Sequence, residues 1–419
     1  MEFLEQKLPN GLTIVAECNA EAYSTAVGFF VETGARDETE ALAGVSHFLE
    51  HMVFKGTPTR SAEDVNREFD EMGAHYNAFT SEENTVYYAA VLPEHQTEAV
   101  ELLADILRPS LREEDFDTEK KVIIEEIKMY EDQPPFGADE KCKAAHFGRH
   151  PLGRSVLGTA ATVGALSVDA MRDYFRRRYS PGNITLVASG RVDFEQLVKA
   201  ADRLCGAWQP VPGAREAGPA ANHSGLECLH KDSATLEYVV QLANGPDSRA
   251  HERFAAKILT TVLGDDSGSR LYWALVDSGL AEHASLNHYD YQGTGLFMTY
   301  MTCEADHTAA NLAQVAKIYK QAEGEGILVA ELNQAKSKIN SRVVLSSERP
   351  RGRLFTVGGN WLQRREYRSV ADDLASVDAV TIDDVGKVLA KFPLSISTTM
   401  AIGPLTSLNG SAATAAGAK

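Results

Sequence analysis

Apolar and polar positions along this chain follow two different periods, which predict short strands and amphipathic helices in turn. Near the start, two alternating segments flank Pro9-Asn10-Gly11, an arrangement that predicts a β-hairpin. Elsewhere apolar residues recur every three or four positions, as on one face of a helix. The predicted strands are 3–8, 12–16, 26–31, 74–79 and 85–92, and the predicted helices cover about 45–55, 62–72 and most of 94–131. The pattern therefore predicts an α+β fold.

The second half of the chain repeats an order of elements found in the first half. Ser167 opens a predicted helix that leads to a strand ending at Gly190, and Thr381 opens another that leads to a strand ending at Gly403. The offsets are 214 residues at the helix start and 213 at the closing glycine, so two copies of one α+β unit fit best. The predicted division is a first domain at 1–210, a Pro/Gly/Ala-rich linker at 211–223, a second homologous domain at 224–406 and a disordered tail at 407–419.

Composition and charge narrow the classes of partner. The 419 residues carry a formal net charge of -18, which argues against a nucleic-acid partner, although solubility alone also explains it. Apolar runs stay short of the roughly 20 residues that span a bilayer, so no membrane span is expected. Five unpatterned cysteines are typical of a reducing compartment, and residues 1–5 carry acids where a targeting peptide carries bases. A cytoplasmic location is expected, or a mitochondrial matrix location after removal of a presequence.

One predicted helix carries the candidate chemistry. His47 and His51 lie four residues apart with Glu50 directly before the second histidine, the H-x-x-E-H order of inverted zinc peptidases. At about 100° per residue these three side chains share one side of the helix. The other side carries Val45, Phe48, Leu49, Met52 and Val53. Two imidazoles that bind zinc and a carboxylate that removes a proton from water would form a hydrolase site. The alternative is a chance pair of partly exposed histidines beside a salt bridge.

A catalytic zinc site commonly has three protein ligands, so a third must come from elsewhere in the chain. The predicted helix 119–130 carries Glu119 and Glu126 two turns apart on one face. That face also carries Val122, Ile123 and Tyr130. Carboxylates on an apolar face need partners, and a metal with its histidines would be suitable. Glu125 points about 100° away and is more simply solvated, and Glu119 could also pair with a neighbouring lysine.

The run from Gly44 to Thr57 resembles the pitrilysin/insulinase family of zinc metallopeptidases, and most of all its branch of mitochondrial processing peptidase catalytic subunits and their bacterial relatives. The resemblance implies one Zn²⁺ per chain, with His47, His51 and Glu126 as metal ligands. Here 74 residues lie between His51 and Glu126, which suits the family spacing. It also implies that Glu119, seven residues before Glu126, supports the site. The implied fold is two homologous α/β-sandwich halves, each a mostly antiparallel sheet packed with helices, joined by a linker into a clamshell.

The strand after Gly73 resembles the substrate-binding edge strand of that family. The resemblance implies substrate contacts by Tyr76, Asn77, Ala78 and Phe79, although Asn77 could equally be a simple strand-end residue. A peptide would add to this edge as an extended strand. Glu50 would be the general base that takes a proton from the attacking water and returns it to the leaving amine.

The second half departs from one pattern of the family. In many relatives an arginine and a tyrosine stand seven apart in a stretch that matches Leu275–Glu282, and this chain has neither there. The resemblance therefore implies a homodimer, or a heterodimer with a related chain that supplies the pair. The predicted function is a zinc-dependent endopeptidase for processing or degradation. The alternatives are a non-catalytic structural or assembly subunit of the same fold, or a module with structural zinc. Because every metal-site residue is retained, the enzyme is favoured.

Overall fold

A computed structural model of the chain describes residues 1–213, 215, 220 and 223–408. Its strands are β1 (Glu2–Lys7), β2 (Thr13–Cys18), β3 (Thr25–Val31), β4 (His75–Thr80), β5 (Thr85–Val91), β6 (Ile184–Gly190), β7 (Gly225–His230), β8 (Glu237–Gly245), β9 (His283–Tyr291), β10 (Thr294–Cys303) and β11 (Thr398–Gly403). Its helices are α1 (Val45–Val53), α2 (Ala62–Glu71), α3 (Gln96–Ile106), α4 (Glu113–Asp132), α5 (Ala138–Phe147), α6 (Ala160–Ala165), α7 (Val168–Arg178), α8 (Phe194–Cys205), α9 (Arg253–Gly264), α10 (Thr308–Glu325), α11 (Val329–Ser347), α12 (Pro350–Arg364), α13 (Val370–Ala379) and α14 (Ile382–Lys391). Within these residues no helix has the length and apolar character needed to cross a bilayer.

The first sheet contains six strands in the order β1-β2-β6-β3-β5-β4. Strands β2 and β6 run parallel, and all the other neighbours are antiparallel. Every residue of β3 and β6 is buried, because apolar side chains cover both faces of these central strands. Strand β4 closes one side of the sheet, so the predicted edge position of this strand is confirmed.

The second sheet repeats the topology of the first. Its order is β7-β11-β8-β10-β9, which corresponds strand for strand to β2-β6-β3-β5-β4. The one parallel pair recurs in the same place, between β7 and β11. Helices α7 and α14 lead into the matching strands β6 and β11, and their N-caps are Ser167 and Thr381, as predicted. The internal duplication and the mostly antiparallel α/β architecture are therefore confirmed.

Packing divides the chain along lines that the predicted boundaries do not follow. One compact unit contains 1–129, 154–216 and 344–370, and the other contains 130–153, 217–343 and 371–419. As limits of the two sequence repeats, 1–210 and 224–406 stay predictions. The predicted linker lies partly outside the described residues, and the predicted disordered tail lies outside them after residue 408.

The unit boundaries differ from the predicted ones because helices α5 and α12 each pack on the sheet of the other sequence repeat. Helix α12 comes after strands β9 and β10 of the second sheet in sequence. Its Leu354, Val357 and Trp361 nevertheless pack with Phe30 and Val187 of the first sheet. Helix α5 precedes the second sheet, and its Cys142 and Phe147 belong to that sheet's apolar cluster with Val240, Leu242 and Leu296. Each sheet is thus covered on one face by a helix from the other sequence repeat.

Candidate metal centre

Helix α1 turns two histidines and one glutamate away from the apolar core. Its buried apolar residues are Val45, Phe48, Leu49, Met52 and Val53. His47 keeps 9% of its surface exposed, and Glu50 and His51 are half-buried. The predicted division of this helix into an apolar side and a chemical side is confirmed.

The start of α1 is held by a buried carboxylate, Glu38. Gly44 precedes the helix with a φ of +93° and has no side chain that could cap it. Glu38 supplies the acceptors: Oε2 accepts from the Gly44 amide at 2.7 Å and Oε1 accepts from the Ser46 amide at 2.7 Å. Burial raises the pKa of Glu38 to about 8, and these two bonds oppose that rise. Through these two hydrogen bonds the side chain of Glu38 caps the helix directly before His47.

His47, His51 and Glu126 come together at one point. The Nε2 atoms of His47 and His51 lie 3.9 and 3.7 Å from the same oxygen, Oε2 of Glu126. One ligand atom from each residue lies within 4.8 Å of the others. Two ligands of a tetrahedral zinc ion are roughly 3.3 Å apart, so a slight contraction would bring these atoms to zinc-binding distance. Two imidazole nitrogens and one carboxylate oxygen are a donor set that catalytic zinc sites use.

Glu119 orients the ring of His51. Its Oε1 lies 2.9 Å from Nδ1 of His51, and its Oε2 accepts from Nζ of Lys55 at 2.7 Å. When Nδ1 donates this hydrogen bond, the lone pair of Nε2 is left to face Glu126. Burial alone would raise the pKa of Glu119, but the bonds to His51 and Lys55 outweigh it and lower the pKa. Glu119 thus lies where its predicted supporting role requires, and Lys55, four residues after His51, is a partner that helical spacing could have indicated.

The two histidines differ in electrostatic surroundings. Burial, and next the charge of His51, lowers the pKa of His47 to about 4, so its ring is neutral at pH 7 as a metal ligand must be. Burial also acts to lower the pKa of His51, but the hydrogen bond to Glu119 and the charge of Glu126 raise it overall. The negative field that favours a proton on His51 would also favour a metal cation.

Glu50 receives one short hydrogen bond. Its Oε2 accepts from Oγ1 of Thr80, the last residue of β4, at 2.6 Å. Burial raises the pKa of the Glu50 carboxyl, and the Thr80 hydroxyl opposes this rise. A raised carboxyl pKa brings a general base closer to neutral pH. Thr80 was not among the predicted site residues, although strand alternation places it on the same side as Tyr76 and Ala78.

The four predicted substrate contacts divide between the two faces of β4. Ala78 is 9% exposed and packs in the core on the α1 side, and Tyr76 is half-buried on that side. Asn77 is exposed on the other face, where Phe79 keeps 41% of its surface exposed. The Ala78 amide donates to Oδ1 of Asn77 at 2.9 Å. Since β4 is the edge strand, its open side offers the remaining main-chain groups, and Asn77 and Phe79 are its two exposed side chains.

The predicted apolar face of α4 needs correction. Val122 and Tyr130 are 48% and 51% exposed, so they do not belong to the buried stripe. The buried residues of α4 are Phe116, Glu119, Ile123 and Ile127. Glu126 lies at the border of this stripe, with 25% of its side chain exposed. Glu119 is thus buried within the packing face, whereas Glu126 reaches the histidines from its margin.

The second sequence repeat has no equivalent of the histidine pair. Helix α9 stands where the duplication places the counterpart of α1, and its residues RFAAKILTTVLG contain no histidine. The only other metal-compatible group within the described residues is Glu304, Asp306 and His307. Its two carboxylates are exposed, and exposed acidic groups are common without a metal.

Comparison with known proteins places this two-sheet chain in a family. A family model described as Insulinase (Peptidase family M16) matches residues 13–160, and one described as Peptidase M16 inactive domain matches residues 165–339. The chain belongs to the insulinase family of peptidases, as the resemblance of its motif predicted. The inactive-domain model covers helix α9, which lacks the histidine pair of α1.

Individual relatives support the same assignment. An uncharacterized zinc protease of Streptomyces coelicolor is 34% identical over 408 residues, and the match covers 95% of this chain and 89% of that protein. The uncharacterized zinc protease YmxG of Bacillus subtilis is 31% identical over 379 residues, which covers 90% of this chain and 92% of that protein. The crystal structure of a protease from Helicobacter pylori has the same fold, with a TM-score of 0.89 and 19% identity over 96% of this chain and 99% of that one.

Proposed function

We propose that this chain is a zinc-dependent endopeptidase that hydrolyses peptide bonds in extended or unfolded peptides, for processing or degradation. The observation that carries the proposal is the convergence of His47, His51 and Glu126 on one point, with Glu50 on the same helix face. The zinc protease names of its relatives support it. The retained ligand set favours this function over a non-catalytic structural or assembly subunit.

Each residue of the site has a separate role in the proposed hydrolysis. His47, His51 and Glu126 would hold one zinc ion per chain, and Glu119 would keep the ring of His51 in place through its hydrogen bond. Zinc bound there supplies Lewis acidity, which activates a water and polarises the scissile carbonyl. Glu50 accepts the proton from the attacking water and gives it to the leaving amine.

The open edge of β4 is the proposed binding place for the peptide. An extended peptide that pairs with this edge would gain main-chain hydrogen bonds, which provide affinity without much sequence preference. Asn77 and Phe79 are the exposed side chains beside such a strand. Because the chain carries a net charge of -18, basic residues near the scissile bond would be attracted.

Chelation should abolish cleavage. Treatment with 1,10-phenanthroline is expected to remove the zinc and the activity together, since the donor set at His47, His51 and Glu126 suits this ion. Activity against a pool of quenched fluorescent peptides should return with stoichiometric Zn²⁺ and not with Mg²⁺. Cleavage that survives complete metal removal would contradict the proposal. A native preparation that holds zinc but cleaves no peptide would favour the structural or assembly subunit.

We further propose that this chain works as a homodimer or with a related chain. The stretch Leu275–Glu282 lacks the arginine and tyrosine that many family members carry there, and a partner could supply groups that stabilise the developing oxyanion. Light scattering of the active fraction should give a mass near a multiple of the 45.6 kDa chain, or near its sum with a related chain. Full activity in a particle of 45.6 kDa would contradict the need for a partner.

The proposed compartment is the cytoplasm. All five cysteines are free, and three of them are buried. A chain of this size without disulfides suits a reducing compartment.

A further inference from the structure

Thr80 makes the shortest contact of the proposed general base. It is the last residue of β4 and is half-buried. Its Oγ1 donates to Oε2 of Glu50 at 2.6 Å, a length typical of a hydroxyl bound to a carboxylate. Strand alternation places Thr80 and Ala78 on the side of β4 that faces α1. Ala78 is buried in one apolar cluster with the apolar residues of α1.

The direction of the Thr80 hydroxyl is set by its neighbour across the strand pair. Thr85 is paired with Thr80 in the β4–β5 register, and their Oγ1 atoms lie 3.5 Å apart. The hydroxyl of Thr85 donates to the carbonyl oxygen of Thr33 at 2.9 Å, so its single proton is already used. Thr85 can only accept a weak bond at 3.5 Å, and the 2.6 Å contact with Glu50 therefore takes the proton of Thr80.

The backbone around Thr80 is held by the turn that follows it. The Ser81 amide donates to the carbonyl oxygen of Asn84 at 2.8 Å, which closes the β4–β5 turn. Within this turn Glu83 forms an ion pair with Arg36 at 2.6 Å, and their side chains are only 2% and 1% exposed. An anchored turn keeps the hydroxyl of Thr80 in place without further ordering when substrate arrives.

We propose that Thr80 is a positioning residue for Glu50. Its hydroxyl holds Oε2, which leaves Oε1 to accept the proton of the attacking water. Since Thr80 belongs to the strand whose edge would bind the peptide, one rigid element sets the position of both the base and the substrate. This inference rests on the proposed peptidase function and adds a residue that acts through Glu50, not on the substrate itself.

Thr80→Val tests the hydroxyl with little change of shape, because both side chains are β-branched and suit a strand. We expect kcat to fall about 10- to 100-fold, the range for losing a hydrogen bond to a charged group, while KM and zinc content stay unchanged. Thr80→Ser keeps the hydroxyl and should restore most of kcat. The matched control is Thr25→Val on β3, which removes a hydroxyl that donates to the carbonyl oxygen of Arg191 at 2.7 Å and should leave kcat unchanged.

The outcomes separate this inference from the function on which it rests. Full kcat in Thr80→Val, or an equal loss in Thr80→Ser, would overturn the positioning role. If Thr80→Val changes only KM or zinc content, the positioning role is also overturned, because Thr80 would then stabilise the structure without acting on Glu50. If wild-type cleavage survives chelation, the proposed function itself fails, and this role fails with it.

Discussion

Glu50→Gln should abolish peptide cleavage while the protein keeps its zinc. An amide cannot accept the proton of the attacking water, and the loss of a general base lowers kcat by roughly 10²- to 10⁴-fold. The amide oxygen can still accept the hydrogen bond that Thr80 donates to Glu50 at 2.6 Å, so the helix and its two histidines should keep their places. Cleavage of a fluorescent peptide and metal analysis of the same preparation would measure both effects.

The combination of results decides the role of this residue. If the variant loses activity but keeps its full zinc content, Glu50 is a base and not a metal ligand. Simultaneous loss of zinc would place Glu50 among the ligands, and retained activity would remove it from the mechanism. Thermal unfolding of the variant serves as the control, since the side chain keeps its size and its contact with Thr80.

The chemical face of α1 could be predicted because two local signals coincide there. Helical periodicity places His47, Glu50 and His51 on one side, and the five apolar residues on the other are buried in the structure. Both signals come from residues within a few helical turns of each other, so the geometry of the helix alone determines which side each residue is on. Strands β1 to β6 and β11 were predictable because strand and cap patterns are local, and the duplication was predicted from one such pattern, a capped helix leading to a strand, that occurs twice.

Helix α4 shows where local periodicity stops being sufficient. Two of the predicted face residues, Val122 and Tyr130, are exposed, because the packing of this helix follows Phe116, Ile123 and Ile127 instead. Several apolar stripes can be drawn on a helix of 20 residues, and only tertiary packing selects one of them. Periodicity and the family spacing both favoured Glu126 over Glu125, although the face that periodicity gave to Glu126 is only partly buried.

Long-range contacts around the site lay beyond the sequence analysis. Glu38 binds the start of α1 from a loop, and Thr80 reaches Glu50 across 30 positions of sequence. The exchange of helices α5 and α12 between the two sequence repeats is a further example. No period or motif in the chain records which sheet a helix will cover.

Glu126→Gln should weaken zinc binding, and Glu125→Gln should not. Oε2 of Glu126 lies 3.9 Å from Nε2 of His47 and 3.7 Å from Nε2 of His51. An amide oxygen carries no charge and is a poorer zinc ligand than a carboxylate. Loss of an outer-shell partner already lowers metal affinity about 10- to 100-fold, so a ligand change should lower it at least as much. Competition with a chromogenic chelator would measure the affinity of both variants.

Glu125 makes a close control because it is the adjacent residue on the same helix and receives the same chemical change. Its side chain is 71% exposed and pairs with Lys128 at 2.7 Å, so its contribution to stability is small. If only Glu126→Gln loses zinc, the geometry of α4 has identified the third ligand. If only Glu125→Gln loses zinc, α4 must turn in the metal-bound protein. If both variants bind zinc as tightly as the wild-type protein, the third ligand beside His47 and His51 must lie outside α4.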